Sequence, residues 1–216
     1  MVAELDRRDA NAAYTFYRLV KGSRNSASLS GQLFEFKVHK FLQSITEPRS
    51  FSIRSLDDPS ITFNIEFSSN IVFRTFGADQ FFTGHLITSV KNQESCYLKP
   101  LSPVFPTFDA FLYQHTLVRP GYQPFMGVQV TNARSPSVSI KGLEGTQRAL
   151  KKYIPELKDL RPIKAKKWII LFIVPEPMAV SFQKQILKDS AKVDHWDSKT
   201  AQFVLGLPEQ EVLRSC

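Results

Sequence analysis

Apolar residues fall at helical spacing near the start of the chain and alternate through its middle. Between Glu4 and Val20, the residues Ala13, Phe16, Tyr17 and Val20 form one stripe, and Gly22 stands where such a helix would end. After the polar break SRNSAS, a second helix is expected from Ser28 or Ser30 to Ser44, with Phe34, Val38, Phe41, Leu42 and Ile45 as its buried stripe. Glu35 lies beside that stripe, flanked by Gln32 and His39 at the spacings that meet on a helix surface. Period two takes over from Phe51 to Phe76. There FSIRSL, ITFNIEF and IVFRTF are separated by the turn signals DDPS and SSN, which predicts an antiparallel meander. GADQFFTG, KNQES and the proline-rich LSPVFP then interrupt regular structure.

Phe108–Thr131 predicts a hairpin. In its first strand Phe108, Ala110 and Leu112 should face one way and Asp109, Phe111 and Tyr113 the other. In its second, Val128 and Val130 share a face, which leaves Gly127, Gln129 and Thr131 opposite. One carboxylate, one amide and one hydroxyl are therefore expected on a shared surface. HTLVRPGYQP carries the reversal. A helix is expected over Val138–Ile154, weakened near its start by Gly142 and Gly145. WIILFIV, Trp168–Val174, is apolar throughout and suits a strand covered on both faces. A short amphipathic helix at Ala179–Lys188 and a last strand, AQFVLGL, complete a mixed central α/β sheet flanked by helices, with the meander near 51–76 as an addition. The length suits a single domain, an N-terminal helix over 1–24 and a core over 25–216.

Composition changes this picture in three respects. Eighteen phenylalanines favour a packed core over disorder. A formal net charge of +8 favours an anionic partner such as nucleic acid. Cys96 and Cys216, the only cysteines, can build neither a disulfide framework nor a cysteine zinc site. The start MVAELDRRDANAAY lacks the apolar core of a signal peptide, and WIILFIV is far shorter than the roughly 20 apolar residues of a membrane span. The expected setting is intracellular, nucleus or cytoplasm, with no membrane association.

No GxxxxGK[ST], GxSxG or HExxH occurs, which removes support for a P-loop, a serine-hydrolase elbow and a helix-borne zinc site. His39, His85, His115 and His195 are scattered and read best as surface or core side chains. The hairpin is more specific. An Asp on one strand, followed twenty residues later by a pair at i and i+2, with a Glu on a preceding helix, resembles the PD-(D/E)xK nuclease pattern. Oxygens from Glu35, Asp109 and Gln129 would hold Mg2+ or Mn2+ against a scissile phosphate. Thr131 stands where that pattern has lysine. The plainer alternatives are a solvated flank for Glu35, a strand-end polar residue for Asp109 and core hydrogen bonding for Gln129 and Thr131.

YLKPLSPVFPTFDAFLYQ (97–114), GVQVTNARSPSVSIKGL (127–143), KKWIILFIVP (166–175) and the closing HWDSKTAQFVLGL resemble the nuclease-like region of crinkler-type effectors and retrotransposon-hot-spot proteins. Members of that group commonly carry Gln-x-Thr where other nucleases have Glu-x-Lys. The resemblance implies a restriction-endonuclease-like fold and metal-dependent hydrolysis of DNA by an effector delivered into a host. With only two acidic ligands and no motif lysine, charge compensation is expected from Lys141 or Arg134. Arg134, Lys141, Arg148, Lys151, Lys152, Lys164, Lys166 and Lys167 are the candidate nucleic-acid contacts, or else a solvated basic face. The competing expectation is a catalytically silent member of the fold that binds DNA, RNA or a host protein.

Overall fold

The computed structural model describes residues 10–21, 27–77, 79–101, 107–152, 155–188 and 191–214. In chain order these form α1 (Ala10–Lys21), α2 (Ala27–Gln43), β1 (Arg49–Ser55), β2 (Thr62–Phe67), β3 (Val72–Phe76), α3 (Asp79–Asn92), β4 (Cys96–Pro100), β5 (Ala110–Tyr113), β6 (Tyr122–Val130), β7 (Val138–Ser139) and α4 (Ile140–Lys152). A 3-10 turn (Lys158–Leu160), β8 (Lys167–Pro175), α5 (Glu176–Ala179), β9 (Leu187–Lys188), α6 (Val193–Asp197), β10 (Thr200–Leu207) and α7 (Glu209–Arg214) follow. The first helix expected from Glu4 is described from Ala10. Its proposed stop at Gly22 and the polar break to Ser26 lie outside the described residues, as do Cys216 and the prolines at 103 and 106.

Eight strands make one mixed sheet in the order β2-β1-β10-β8-β6-β5-β4-β3. The apolar run centred on Trp168–Val174 occupies the middle as β8, parallel to both β6 and β10, and every residue from Trp168 to Pro175 is buried. This is what an uninterrupted apolar strand requires. The predicted hairpin is β5 and β6, antiparallel, with Ala110 opposite Val128 and Tyr113 opposite Phe125.

The meander is corrected. β1 and β2 do pair antiparallel, but β3 pairs with β4, in parallel, at the far edge of the sheet. Only residues 68–71 connect β2 to β3, and five extended steps span at most about 18 Å. A flat eight-stranded sheet would separate its edges by about 34 Å. The sheet is therefore curled until its edges approach. The Gln114 side-chain amide donates to the Glu66 carbonyl across that gap, and the Phe67 and Tyr97 rings lie 6.2 Å apart. Ser68 supports the tight connection by accepting the Ile71 amide on its carbonyl and the Asn70 amide on its hydroxyl.

Inside the curl, α2 contributes Leu33, Phe34, Val38, Phe41 and Leu42 to a core shared with Phe51, Phe63, Val128, Val130 and Ile173, and with Tyr17 of α1 and Val212 of α7. The convex face carries a second core. There Phe82 and Leu86 of α3, Leu143 and Leu150 of α4 and Trp196 of α6 cover Phe111, Phe125, Ile170 and Phe172. Much of the phenylalanine content is used here: Phe111 stacks on Phe125 with centroids 5.5 Å apart and 11° between planes.

Three further local expectations are corrected, each for an identifiable reason. The segment GADQFFTG, predicted as a break, lies largely in α3, whose Gly84 faces open space and whose Phe82 and Leu86 sit four residues apart on the buried side. Ala179–Lys188 is not a helix beyond its first residue. The buried Gln202 side chain accepts from the Gln185 amide and donates to the Gln185 carbonyl, both at 2.7 Å, and β9 then pairs with β7. Tertiary bonding thus holds this segment extended. The helix expected from Val138 begins two residues later, because Val138 and Ser139 form β7.

Candidate functional site

The concave side of the sheet places Glu35 and Asp109 within electrostatic reach of each other and of Lys99, a lysine that the motif pattern did not contain. Glu35 projects from α2 beside its buried stripe and its side chain is 36% exposed. Asp109 lies just before β5. Its amide donates to the Val128 carbonyl at 2.9 Å, and its Oδ2 accepts from the Val130 amide at 2.7 Å. Lys99, half-buried, follows Tyr97 by two residues on β4, so both face the α2 side of the sheet. Leu98 pairs with Phe111, which sets Lys99 one step along the ladder toward Asp109.

Electrostatics ties these groups into one unit. Burial and the nearby Glu35 carboxylate push Asp109 up from 3.8 to about 7, against the opposing pull of the Val130 amide and Lys99. Burial also raises Glu35, again opposed by Lys99. Lys99 is lowered by its own desolvation, which outweighs the two carboxylates. Each carboxylate is thus held in a state that disfavours its charge and would be relieved by a cation.

A buried pair, His39 and Tyr97, lies beside Glu35, and His39 Nε2 has no hydrogen-bond partner. His39 Nδ1 lies 2.8 Å from the Tyr97 hydroxyl, and its Nε2 stands 3.9 Å from Glu35 Oε1. Burial lowers His39 to about 3, so the ring is neutral and the contact with Glu35 is no ion pair. Burial keeps Tyr97 protonated, with Asp109 and Glu35 adding to that effect. A Tyr97 hydroxyl donating to Nδ1 places the ring proton on Nε2, facing Glu35.

The backbone next to Asp109 is unusual. Thr107 adopts φ of 75°, uncommon for a β-branched residue, and its hydroxyl donates to the Ser139 carbonyl at 2.8 Å. Beyond it, Phe108 joins Phe111 on the convex side, not Ala110 and Leu112 as alternation predicts. The cause is Gly127. A Cβ there would lie 2.2 Å from the Phe108 ring, so the ring occupies the space that a side chain would fill.

The expected face shared by Asp109 and Gln129 is also corrected. Val128 and Val130 point into the concave core, while Gln129, paired with Phe172, belongs to the convex face and reaches the Ser137 carbonyl at 3.4 Å. Its Oε1 is buried without a partner. Gln129 is thus separated by the sheet from Glu35. Thr131 follows the end of β6 and lines a cleft of about 680 Å3 with Glu35, Ser30, Asn132, Arg134 and Lys21. Its hydroxyl accepts from the Ala133 amide at 3.0 Å, while Asn132 donates to Ser30 at 2.9 Å and ties this loop to α2. Lys99, Tyr97 and His39 line a second cleft of about 290 Å3 on the other flank of α2.

Of the remaining basic candidates, Arg134 shares the larger cleft with Glu35. Lys141 is exposed on α4, across the sheet from α2, and is not brought to the carboxylates. Arg148, Lys152 and Lys164 are exposed and Lys167 is half-buried. Lys151 and Lys166 meet in a recess at the other end of the sheet. Lys99 was missed because only the β4–β5 register brings it to Asp109. The available signal was local: YLKP places Tyr97 and Lys99 on one strand face immediately before the Asp109 strand.

Among the described residues no three His, Cys, Asp or Glu side chains converge as a metal cluster. Two carboxylates with raised affinity for protons still fit a hard cation that takes its other ligands from water and phosphate. No helix among the described residues is long and apolar enough to cross a membrane. Comparison of the chain with protein-family models, with curated proteins and with solved structures finds no match.

Proposed function

We propose that the protein is a divalent-metal-dependent nuclease with a restriction-endonuclease-like arrangement, acting on DNA phosphodiester bonds. The observation that carries this reading is the placement of two partly desolvated carboxylates, Glu35 and Asp109, beside a half-buried Lys99. The crinkler-type resemblance, with its effector role in a host, belongs to the same proposal. Glu35 and the free Oδ1 of Asp109 would hold Mg2+ or Mn2+, which when bound acidifies a water and neutralises phosphate charge. Gln129 drops out of this ligand set because its amide lies on the opposite face.

Lys99 takes the role first assigned to Lys141. A cationic ammonium beside the carboxylates compensates charge that builds on the phosphate oxygens, which neutral Thr131 cannot do. Arg134, at the cleft rim with Glu35, is suited to the phosphate backbone of the substrate. His39, neutral and held by Tyr97, adds no competing charge beside Glu35.

A plasmid-nicking assay in Mg2+ or Mn2+ tests this. Lys99→Ala should lower nicking by about 10²-fold, and Lys99→Arg should restore part of it. Lys141→Ala should match the parent. If Glu35→Gln and Lys99→Ala nick as well as the parent, the enzyme reading is wrong. The second reading, a silent nuclease-like fold that binds nucleic acid or a host protein, is favoured by one observation. Neither position of the Glu-x-Lys pair, Gln129 or Thr131, offers a charge to the site. Metal-independent, salt-sensitive DNA binding with no nicking by the parent would establish it.

A further inference from the structure

Five cations meet in a recess remote from the carboxylates. Lys151 from the end of α4, Lys158 and Arg161 around the 3-10 turn, Lys166 before β8 and Lys199 before β10 line one concavity of about 460 Å3, with Asp159 the sole acidic side chain among the described lining residues. None of the five forms an ion pair among the described residues. Five like charges gathered around a single carboxylate, Asp159, raise the local potential, and an anion relieves it.

The backbone that holds them is pinned from below. Gln123, 3% exposed, donates to the Arg161 carbonyl at 2.9 Å, and the Trp168 indole donates to the Leu160 carbonyl at 2.6 Å. Ile163 and Lys166 exchange two backbone hydrogen bonds, at 3.0 and 3.1 Å, which closes a tight turn with Lys164 and Ala165 at its tip. The main chain under Arg161 and Lys166 is thus fixed, so closing on a ligand orders their side chains and not the loop that carries them.

We propose that this recess binds a run of phosphate groups, supplied either by a nucleic-acid strand or by a free polyphosphate such as a nucleoside triphosphate. One phosphate would leave most of the five cations unsatisfied, whereas successive phosphates engage them together. The site is separate from the carboxylate pair. β6 passes the recess at Gln123 and ends beside Asp109 at Val130, and its register with β8, Tyr122 on Lys167 and Val130 on Ile173, puts about 20 Å between the two ends. Lys151 and Gln147 belong to the helix on the convex face, and Glu35 to the helix on the concave one. The recess is therefore an anchor, and its existence does not depend on cleavage.

The test uses the full chain in chelator, so that no metal at the carboxylates contributes. Binding of a labelled single-stranded oligonucleotide is followed by anisotropy, and binding of inorganic tripolyphosphate by calorimetry. The double variant Arg161→Glu/Lys166→Glu should weaken oligonucleotide binding by about 10-fold or more and lower the salt slope by about two. The neutralising pair Lys158→Gln/Lys199→Gln should give a smaller loss with an unchanged circular dichroism spectrum. A charge-matched control away from the recess, Lys141→Glu/Lys188→Glu, should change affinity less than about threefold. Tripolyphosphate that binds the parent and displaces the oligonucleotide supports a free polyphosphate as ligand. Oligonucleotide binding that tripolyphosphate does not displace supports the nucleic-acid strand. Equal losses in the recess and control variants, or binding of neither ligand by the parent, would overturn the proposal.

Discussion

Asp109→Asn should make the protein more stable at pH 8 while abolishing metal-dependent nicking. The folded protein raises the Asp109 carboxyl from 3.8 to about 7, so its charged form is disfavoured in the native state relative to the unfolded chain. The stability associated with the neutral carboxyl is fully present below about pH 4 and is lost as pH rises to about 7. Three units correspond to roughly 4 kcal/mol, and 2–4 kcal/mol is the order of magnitude to expect. Asparagine keeps an oxygen for the Val130 amide and removes the charge that Glu35 opposes. For a chain of this size the variant should melt roughly 5–10 °C higher at pH 8, and no higher at pH 4. Metal should narrow the difference by stabilising the parent alone. Nicking should fall by about 10³-fold, equal to losing roughly 4 kcal/mol of transition-state stabilisation. Melts at pH 4 and pH 8, with and without Mg2+, check this. A variant less stable than the parent at pH 8 would show that the Asp109 charge stabilises the fold.

Periodicity located α2, the β5–β6 hairpin and the buried β8, because in each the solvent or core environment is uniform along the element. It could not locate β3, whose alternation suits a meander equally well; its partner is decided by the curl of the whole sheet. Nor could local preference anticipate the two hydrogen bonds from Gln202 that hold Gln185 extended. At the site, Glu35 and Asp109 lie within electrostatic reach of each other, but the facing of Asp109 departs from the expected one. Alternation assumes a regular strand, and Thr107 and Phe108 break it. Lys99 needed a strand register, not a motif. The basic tracts were visible as charge, while their division between a cleft, a recess and an open helix face arises only in three dimensions.

The same break in the strand makes Gly127 the position where one methyl group should cost most. A Cβ at Gly127 would stand 2.2 to 2.5 Å from three atoms of the Phe108 ring, far inside contact. The ring cannot move freely, since Phe108 is 2% exposed and packs on Phe111, which itself stacks against Phe125 and touches Phe82 at 4.7 Å between centroids. Gly127→Ala should therefore destabilise by about 3 kcal/mol, the upper end for an overpacked core, and lower the melting temperature by roughly 6–12 °C. Gly145→Ala supplies the contrast. It lies on the exposed side of α4 with open space around it, so alanine should stabilise by about 0.5–1 kcal/mol. Phe108 precedes Asp109, and displacing the ring drags the carboxylate from the Val130 amide. Nicking by Gly127→Ala should then fall at temperatures where the variant is still folded, and the second substitution Phe108→Ala, which vacates the slot, should recover part of that activity without recovering full stability. Stability and activity that fall strictly together across these variants would mean that the slot supports the core alone and does not position Asp109.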